Sequence, residues 1–410
     1  MHKVFRILKA QLSFLVLLNS LPAFSFDVEP LFNTPGFHGD ATTTIEDRLI
    51  EMIRDAREGS KIRVALYHIS RANLAQELVI ASHRGVDVQI VLDGGTAHEI
   101  EENGSPLNIL AYGFSGYSEG LKCAEDEVCL KLCKGPLAAP LSILKLKKNH
   151  DLGNACRGLI ANHNKFFLFS DLNDGNSHVV AQTSANMADG QLKMYNDLLL
   201  IKNNPDFFED FLNYWQKLKG DQTALFKKSH PTISDESGKL KSYFFPRLVS
   251  KDPVLSLLKK VNCKLPNSSI KASQSAFTRG GVAREMARLQ AEGCDLQVIT
   301  RVDPVQKSPG KKVIRSLRSE DLVILPYRGQ EEKDRSENSI HTKIVLINAS
   351  IDNSSEKVPV VLTGSHNLDL FSLRTNDEVL IEVRDQSVYE AYDAFLERIL
   401  QDARDAGICI

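Results

Sequence analysis

A chain of 410 residues is too long for one small module and calls for about two domains or one large two-part fold. With 42% hydrophobic and 25% charged residues it is not a largely disordered chain, a collagen-like repeat or a polytopic membrane protein. Its 50 Lys and Arg against 52 Asp and Glu leave a formal charge of −2, so no global positive field marks a general nucleic-acid binder and any anion recognition has to be local.

The chain opens with Lys3, Arg6 and Lys9, then a largely apolar run from Leu12 to Leu21, Pro22, and Ala23-Phe24-Ser25. That is a basic n-region, a short apolar core and a small-residue cleavage site. The run is shorter than the ~20 residues of a bilayer span and is interrupted by Asn19 and Ser20. Residues 1–25 are therefore expected to be a cleaved signal peptide rather than an anchor. The mature chain, secreted or periplasmic, then holds 47 basic and 52 acidic residues and has disulfides open to it.

Beyond the signal the sequence repeats itself. Ile62 to Ile90 aligns without a gap on Ile270 to Val298 at an offset of 208 residues, matching Arg71 with Arg279, Ala75 with Ala283 and Glu77 with Glu285. Each copy reads as strand, amphipathic helix (Leu74, Leu78, Ala81; Val282, Met286, Leu289), a helix-ending Gly and a second strand, which is a βαβ unit. Upstream, a helix over 44–58 is echoed by one over 254–262; downstream, a closing helix over 206–219 is echoed by one over 388–406. The expected organisation is two similar α/β halves packed face to face, 26–220 and 242–410, joined by a polar linker over 221–241.

From Gly85 to His163 is 78 residues but from Gly293 to His341 only 48, so the first half carries an insertion at about residues 100–157. It holds Cys123, Cys129, Cys133 and Cys156, whose spacing is not the paired Cys-x2-Cys of zinc sites; two disulfides are expected, with three connectivities open. Cys263 and Cys294 each precede a strand of the second βαβ unit and are expected to pair, which leaves Cys409 over. The insertion's apolar stretches Ile109 to Phe114 and Leu137 to Leu144, the latter followed by Lys145, Lys147 and Lys148, suit either an anionic lipid surface or a loop packed on its own domain. The charge-rich stretch Arg328 to Ser339 reads as a solvated loop or part of a pocket rim.

Each half contains one His-x-Lys tripeptide, His163-Asn164-Lys165 and His341-Thr342-Lys343, opening an apolar strand on which residues i and i+2 share a face. About one such tripeptide is expected by chance, so the residues downstream of each copy matter more. An apolar strand ends in Ser184-Ala185-Asn186 and in Ser365-His366-Asn367, and an acid stands 11 residues past each Asn, at Asp197 and at Glu378. His68 has no counterpart, Ala276 standing at its place, and reads as a pocket-lining or core histidine; His83, His98, His150, His230 and His366 show no metal-ligand spacing.

These residues resemble the phospholipase D superfamily, whose signature is a duplicated His-x-Lys-(x)4-Asp followed by Gly-Ser-x-Asn. The match runs through His163, Lys165, Ser184 and Asn186, and through His341, Lys343, Gly364, Ser365 and Asn367. It departs at the Asp positions, where Ser170 and Asn348 stand, and at Thr183 in place of the first Gly. The resemblance implies an active site between the halves and a phosphodiester exchange without metal or other cofactor. Lys165 and Lys343, with donors from Ser184, Asn186, Ser365 and Asn367, hold the phosphate; one imidazole attacks phosphorus while the other protonates the leaving alcohol. Asp197 and Glu378 are expected to hydrogen-bond the far nitrogens of the imidazoles. The resemblance favours His163 as nucleophile and His341 as acid, though the near-symmetry of the residues leaves the order open.

The expected activity is that of a secreted phospholipase D, hydrolysing glycerophospholipids to phosphatidate and a head-group alcohol, or transferring the phosphatidyl group to another alcohol. A phospholipid or membrane surface is then the partner of a monomer, with no protein partner implied. A metal-independent nuclease is the alternative, which would make nucleic acid the partner. A catalytically weakened binding protein fits less well, because both His and Lys pairs are complete.

Overall fold

The computed structural model describes residues 26–115, 129–134, 153–220, 232–235, 237–326 and 338–408. The expected signal peptide, Leu137 to Leu144 with its lysines, Cys123, Cys409 and most of the expected linker and of Arg328 to Ser339 lie outside the described residues.

The first half contributes β1 (Asp27–Asn33), β2 (Lys61–Leu66), β3 (Asp87–Leu92), β4 (Leu130–Leu132), β5 (Lys165–Asp171), β6 (Ser177–Thr183) and β7 (Met194–Lys202), in the spatial order β1-β7-β6-β5-β2-β3-β4. The second contributes β8 (Thr232–Ser234), β9 (Leu240–Phe244), β10 (Val261–Asn262), β11 (Ser269–Gln274), β12 (Asp295–Arg301), β13 (Leu322–Leu325), β14 (Ser339–Ile340), β15 (Lys343–Ile351), β16 (Val358–Gly364) and β17 (Val379–Val383). Its sheet runs β13-β12-β11-β15-β16-β17-β9-β8. Seven of these, read β9-β17-β16-β15-β11-β12-β13, repeat the order of the first sheet strand for strand. The duplication seen in 29 aligned positions thus extends to the topology of both α/β halves.

The aligned segments form one matching parallel pair in each half. β2 lies beside β3 with Lys61 opposite Asp87, and β11 beside β12 with Ser269 opposite Asp295. The crossover helices Ala72–His83 and Gly280–Ala291 bury Leu74 and Leu78 or Val282, Met286 and Leu289 against their sheets. The repeated arginine has one task in both halves. Arg71 Nε lies 2.8 Å from Glu46 Oε2 and Arg279 Nη1 2.7 Å from Asp252 Oδ2, so each ties the start of its crossover helix to the helix before it. The expected helix 254–262 stops at Leu258, because Val261 and Asn262 leave it to pair with Ile351 and Ser350 as β10. Buried Val261 is worth more in that contact than one further helical turn.

Separate apolar cores lie under the crossover helices of the two halves. A third is common to both. Phe166, Leu199, Phe211 and Trp215 of the first half meet Ile344, Val361, Ile381, Tyr392 and Phe395 of the second. Burial of each such side chain is worth roughly 1.5–3 kcal/mol, so the halves are held as one body by packing. Cys133 pairs with Cys156 and Cys263 with Cys294, as expected for the latter, and Cys129 is disulfide-bonded as well.

Candidate active site

The strands that carry the two His-x-Lys motifs are anchored across the interface by matching contacts. β14 pairs with β7 of the other half, and His341 N donates to Tyr195 O at 2.9 Å. Reciprocally, Asn162 bridges to Asp377, and His163 N donates to Asp377 O at 2.9 Å. Each histidine is therefore the first residue past a contact with the opposite half, and both face one shared site. Lys343 acts electrostatically on His163, and Lys165 and His163 on His341.

Within each motif the lysine folds back beside its histidine. Lys165 Nζ donates to His163 O at 2.8 Å and Lys343 Nζ to His341 O at 2.6 Å. Both ammonium side chains are almost wholly buried. Burial, only partly offset by Glu378 and Asp93, brings the Lys165 ammonium down to about 7, and burial beside Lys165 and Arg301 also lowers Lys343. Both imidazoles are held well below the usual histidine range, by burial first and by the neighbouring lysines second. The site is a cluster of buried bases short of negative charge, which an entering phosphodiester anion supplies.

The imidazoles differ in what holds Nδ1. His163 Nδ1 lies 2.9 Å from Glu378 Oε2, which also accepts from Ser365 Oγ at 2.5 Å. His341 Nδ1 lies 3.0 Å from Ser184 O and 3.2 Å from Asn196 Oδ1, which accepts from Ser184 Oγ at 3.2 Å. Glu378 thus orients the histidine of the other half, as an orienting acid should, and Asn196 fills the matching place. Asp197 does not contact His341: its carboxylate accepts from Thr363 Oγ1 and, at 2.9 Å, from Tyr392 OH.

The equal spacing to the two acids misled because the connections differ by one residue in register. Ser184 N donates to Asp197 O, whereas Ser365 N donates to Val379 O. Asp197 therefore corresponds to Val379, and Asn196 to Glu378.

Ser184 and Ser365 also differ from expectation. Their hydroxyls donate to Asn196 and Glu378 and accept from Asp197 N at 2.9 Å and Val379 N at 3.0 Å, so they brace the orienting groups instead of meeting a phosphate. Asn367 reaches the site through Ser275, from whose Oγ its Oδ1 accepts at 2.8 Å, and Asn186 Oδ1 is buried with no hydrogen-bond partner among the described residues. Gly364 is required where it stands, with φ at 148° and a Cβ there falling 2.3 Å from Val379 O. Thr183 fits the first copy because its hydroxyl donates to Asp197 O at 2.7 Å and accepts from Ala185 N at 3.0 Å. Ser170, at the departed Asp position, accepts from Lys61 N at 2.8 Å and closes a strand end.

Tyr67 and Ser275 are further site residues. They match each other in the gapless repeat, and each sits against its own lysine: Lys165 Nζ is 5.4 Å from the Tyr67 ring centroid, and Lys343 Nζ is 3.4 Å from Ser275 Oγ. The Tyr67 ring also lies 5.1 Å from that of His163. Their equivalence was visible in the alignment, but one aromatic and one hydroxyl share no chemistry that would single them out. His68 is half-buried, with Nε2 3.3 Å from Glu99 Oε1 at the side of the site.

Asp197 instead joins the halves, since Thr363 and Tyr392 both belong to the second. Burial raises its carboxyl above the ordinary range, and the Thr363 and Tyr392 hydroxyls hold it. Asp197→Ala is expected to cost about 3–5 kcal/mol in urea unfolding, the penalty of leaving buried polar partners unpaired.

Comparison with known proteins agrees with this geometry. The family described as "Cardiolipin synthase, PLD-like domain" matches residues 49–219 and 262–400, one stretch in each half. Mitochondrial cardiolipin hydrolase of Xenopus tropicalis is 27% identical over 176 residues, 39% of this chain and 75% of that protein. Phosphatidylserine synthase of Haemophilus influenzae superimposes with a TM-score of 0.55 at 14% identity, over 92% of this chain and 86% of its own. Polyphosphate kinase of Porphyromonas gingivalis does so with a TM-score of 0.51 at 12% identity, over 91% of this chain and 50% of the kinase, so the chain spans half that enzyme's length. Those two likenesses concern the fold. The family match covers both halves and includes both His-x-Lys motifs, and the chain belongs to the phospholipase D-like family of phosphodiesterases.

Proposed function

We propose that the protein is an exported phospholipase D that hydrolyses the distal phosphodiester of glycerophospholipids. The observation that carries this reading is the pair of cross-braced His-Lys motifs, one imidazole backed by a carboxylate and the other by an amide and a carbonyl oxygen. Support for a lipid comes from the names of the family and of one relative, which concern cardiolipin.

The asymmetry supports His163 as nucleophile. A phosphohistidine bonded through Nε2 carries positive charge that its Nδ1–H shares with an acceptor, and a carboxylate stabilises that charge more than a neutral amide does. The bound diester anion offsets the surrounding lysine charge and favours uptake of a proton by His341; His163 Nε2 then attacks phosphorus as the bond to the head-group oxygen breaks, and His341 gives that proton to the departing alcohol. Lys165, Lys343 and Asn186 bear on the phosphoryl oxygens. Water then attacks phosphorus, its proton passing to His341 as the P–N bond breaks, which yields phosphatidate and restores both imidazoles.

The test is one assay panel in chelator, scoring choline release from phosphatidylcholine vesicles beside cleavage of DNA and RNA. Choline release at several turnovers per enzyme is expected. Cleavage of nucleic acid without lipid turnover would replace this reading with a nuclease.

A further inference from the structure

The strand that begins with Lys343 is antiparallel to β11, so three loops gather at the sheet end where the His341 motif lies: those after β11, β12 and β16. Together with the segment after β9 they enclose a cavity of about 1030 Å³ lined by Leu248, Pro304, Pro309, Leu370 and Phe371. Neither catalytic histidine lines it. One wall, residues 369–375, is bracketed by Asn367 at one end and Glu378 at the other, so cavity and phosphate site share a continuous piece of backbone.

Single apolar side chains on a surface need no explanation, but several converging on one cavity do. Of the lining, Leu370 is 62% exposed and Phe371 40%, and Leu248, Pro304 and Pro309 complete its apolar surface. The loop that presents Pro304 and Pro309 is held in shape: Asp303 N donates to Ser308 O at 2.8 Å, Ser308 N to Asp303 O at 2.9 Å and Gln306 N to Asp303 Oδ1 at 3.0 Å. Two cations, Lys307 and Lys311, are exposed at the edge of the cavity and Lys312 stands next to them. The carboxylates of the lining are engaged, Asp303 with Arg301 at 3.2 Å and Asp369 with Ser372 N at 2.8 Å. An apolar hollow of this size with a cationic lip fits an anionic amphiphile.

We infer that this cavity seats an acyl chain of the phospholipid whose phosphate lies between His163 and His341. The inference rests on the phospholipase reading and adds where the lipid tail goes. Continuity with the phosphate site selects an acyl chain over a protein segment, and Lys307 and Lys311 face the interfacial phosphates of the surrounding leaflet.

Two measurements test it. With the parent protein and monomeric phosphatidylcholines from dibutanoyl to dioctanoyl, kcat/KM is expected to climb by about three- to fourfold per buried methylene; a flat series overturns the inference. With the double variant Leu370→Asp, Phe371→Asp, the ratio of dioleoyl phosphatidylcholine turnover to bis(4-nitrophenyl) phosphate turnover should fall at least about thirtyfold. An unchanged ratio overturns the inference, as does an equal loss on both substrates, which would make the wall a support of the catalytic site. A change confined to oligomeric mass, with the ratio intact, would show a protein interface instead. Pro304→Asp, at an exposed lining residue on a separate loop, should lower the same ratio and keeps the test decisive if the double variant does not fold. A parent that cleaves the chromogenic diester but no phosphatidylcholine would fail at the phospholipase reading, before any variant is compared.

Discussion

His163→Ala is expected to abolish turnover, by about 10⁴-fold or more, whereas His341→Ala should leave an enzyme that reacts once and stops. Without His163 there is no nucleophile, and Lys165 and Lys343 together cannot form a phosphoryl bond that histidine would have formed. Without His341 the first step still proceeds on a diester whose leaving group needs no proton, such as a nitrophenolate. The second step lacks the base that activates water. A burst of nitrophenolate equal to the enzyme present, followed by a slow phase, together with a mass increase on the peptide bearing His163, is the expected signature. If the burst and the adduct belonged to the His163→Ala protein and fell on His341, the roles would be exchanged. If neither variant lost activity, no two-histidine scheme could stand.

The route to that pair was largely legible in the chain. Ile62 to Ile90 over Ile270 to Val298 contains the parallel pairs β2/β3 and β11/β12, and two His-x-Lys motifs followed by apolar residues mark β5 and β15 as the strands antiparallel to β2 and β11. Short-range patterns of this kind survive in sequence because each is decided within one strand or helix. What was not legible is decided by pairing between distant segments. Asp197 and Glu378 stand at equal distances from their Asn residues, yet backbone register sets Asp197 against Ser184 and Val379 against Ser365, which hands the orienting role to Asn196. Counting along a loop cannot reveal a one-residue slip that only the neighbouring strand defines. The serines of the two Ser-x-Asn motifs looked like phosphate ligands because hydroxyls suit phosphate. Their burial beside Glu378 and Asn196 shows that the same hydroxyls suit an acceptor behind the imidazole just as well. The cavity has no signature in the sequence, since Leu248, Pro304 and Phe371 come together only through the order of the strands.

Glu378→Gln should lower kcat/KM by roughly 10²- to 10⁴-fold and change the shape of its pH profile. Burial, opposed by Lys165, pushes the Glu378 carboxyl up to about 7. Below that pH the free enzyme carries a neutral acid beside His163 Nδ1, the imidazolium-like charge of the intermediate loses its counter-charge, and kcat/KM falls by up to tenfold per pH unit. An acidic limb near 7 is therefore expected in the parent. Glutamine cannot titrate, so that limb should vanish. On the other side, Lys165, already lowered to about 7 by burial, loses its proton as pH rises, and with it part of its hold on the phosphate. Glu378 is one of the two carboxylates that raise it, so removing the charge should move the basic limb to lower pH. A plain structural defect would scale the whole profile down without altering it. The loss of one limb together with the acidward shift of the other is what distinguishes a carboxylate acting through His163 from a residue that merely holds the fold, and an Asn196→Ala variant, lacking any such charge, should lower the rate while leaving both limbs in place.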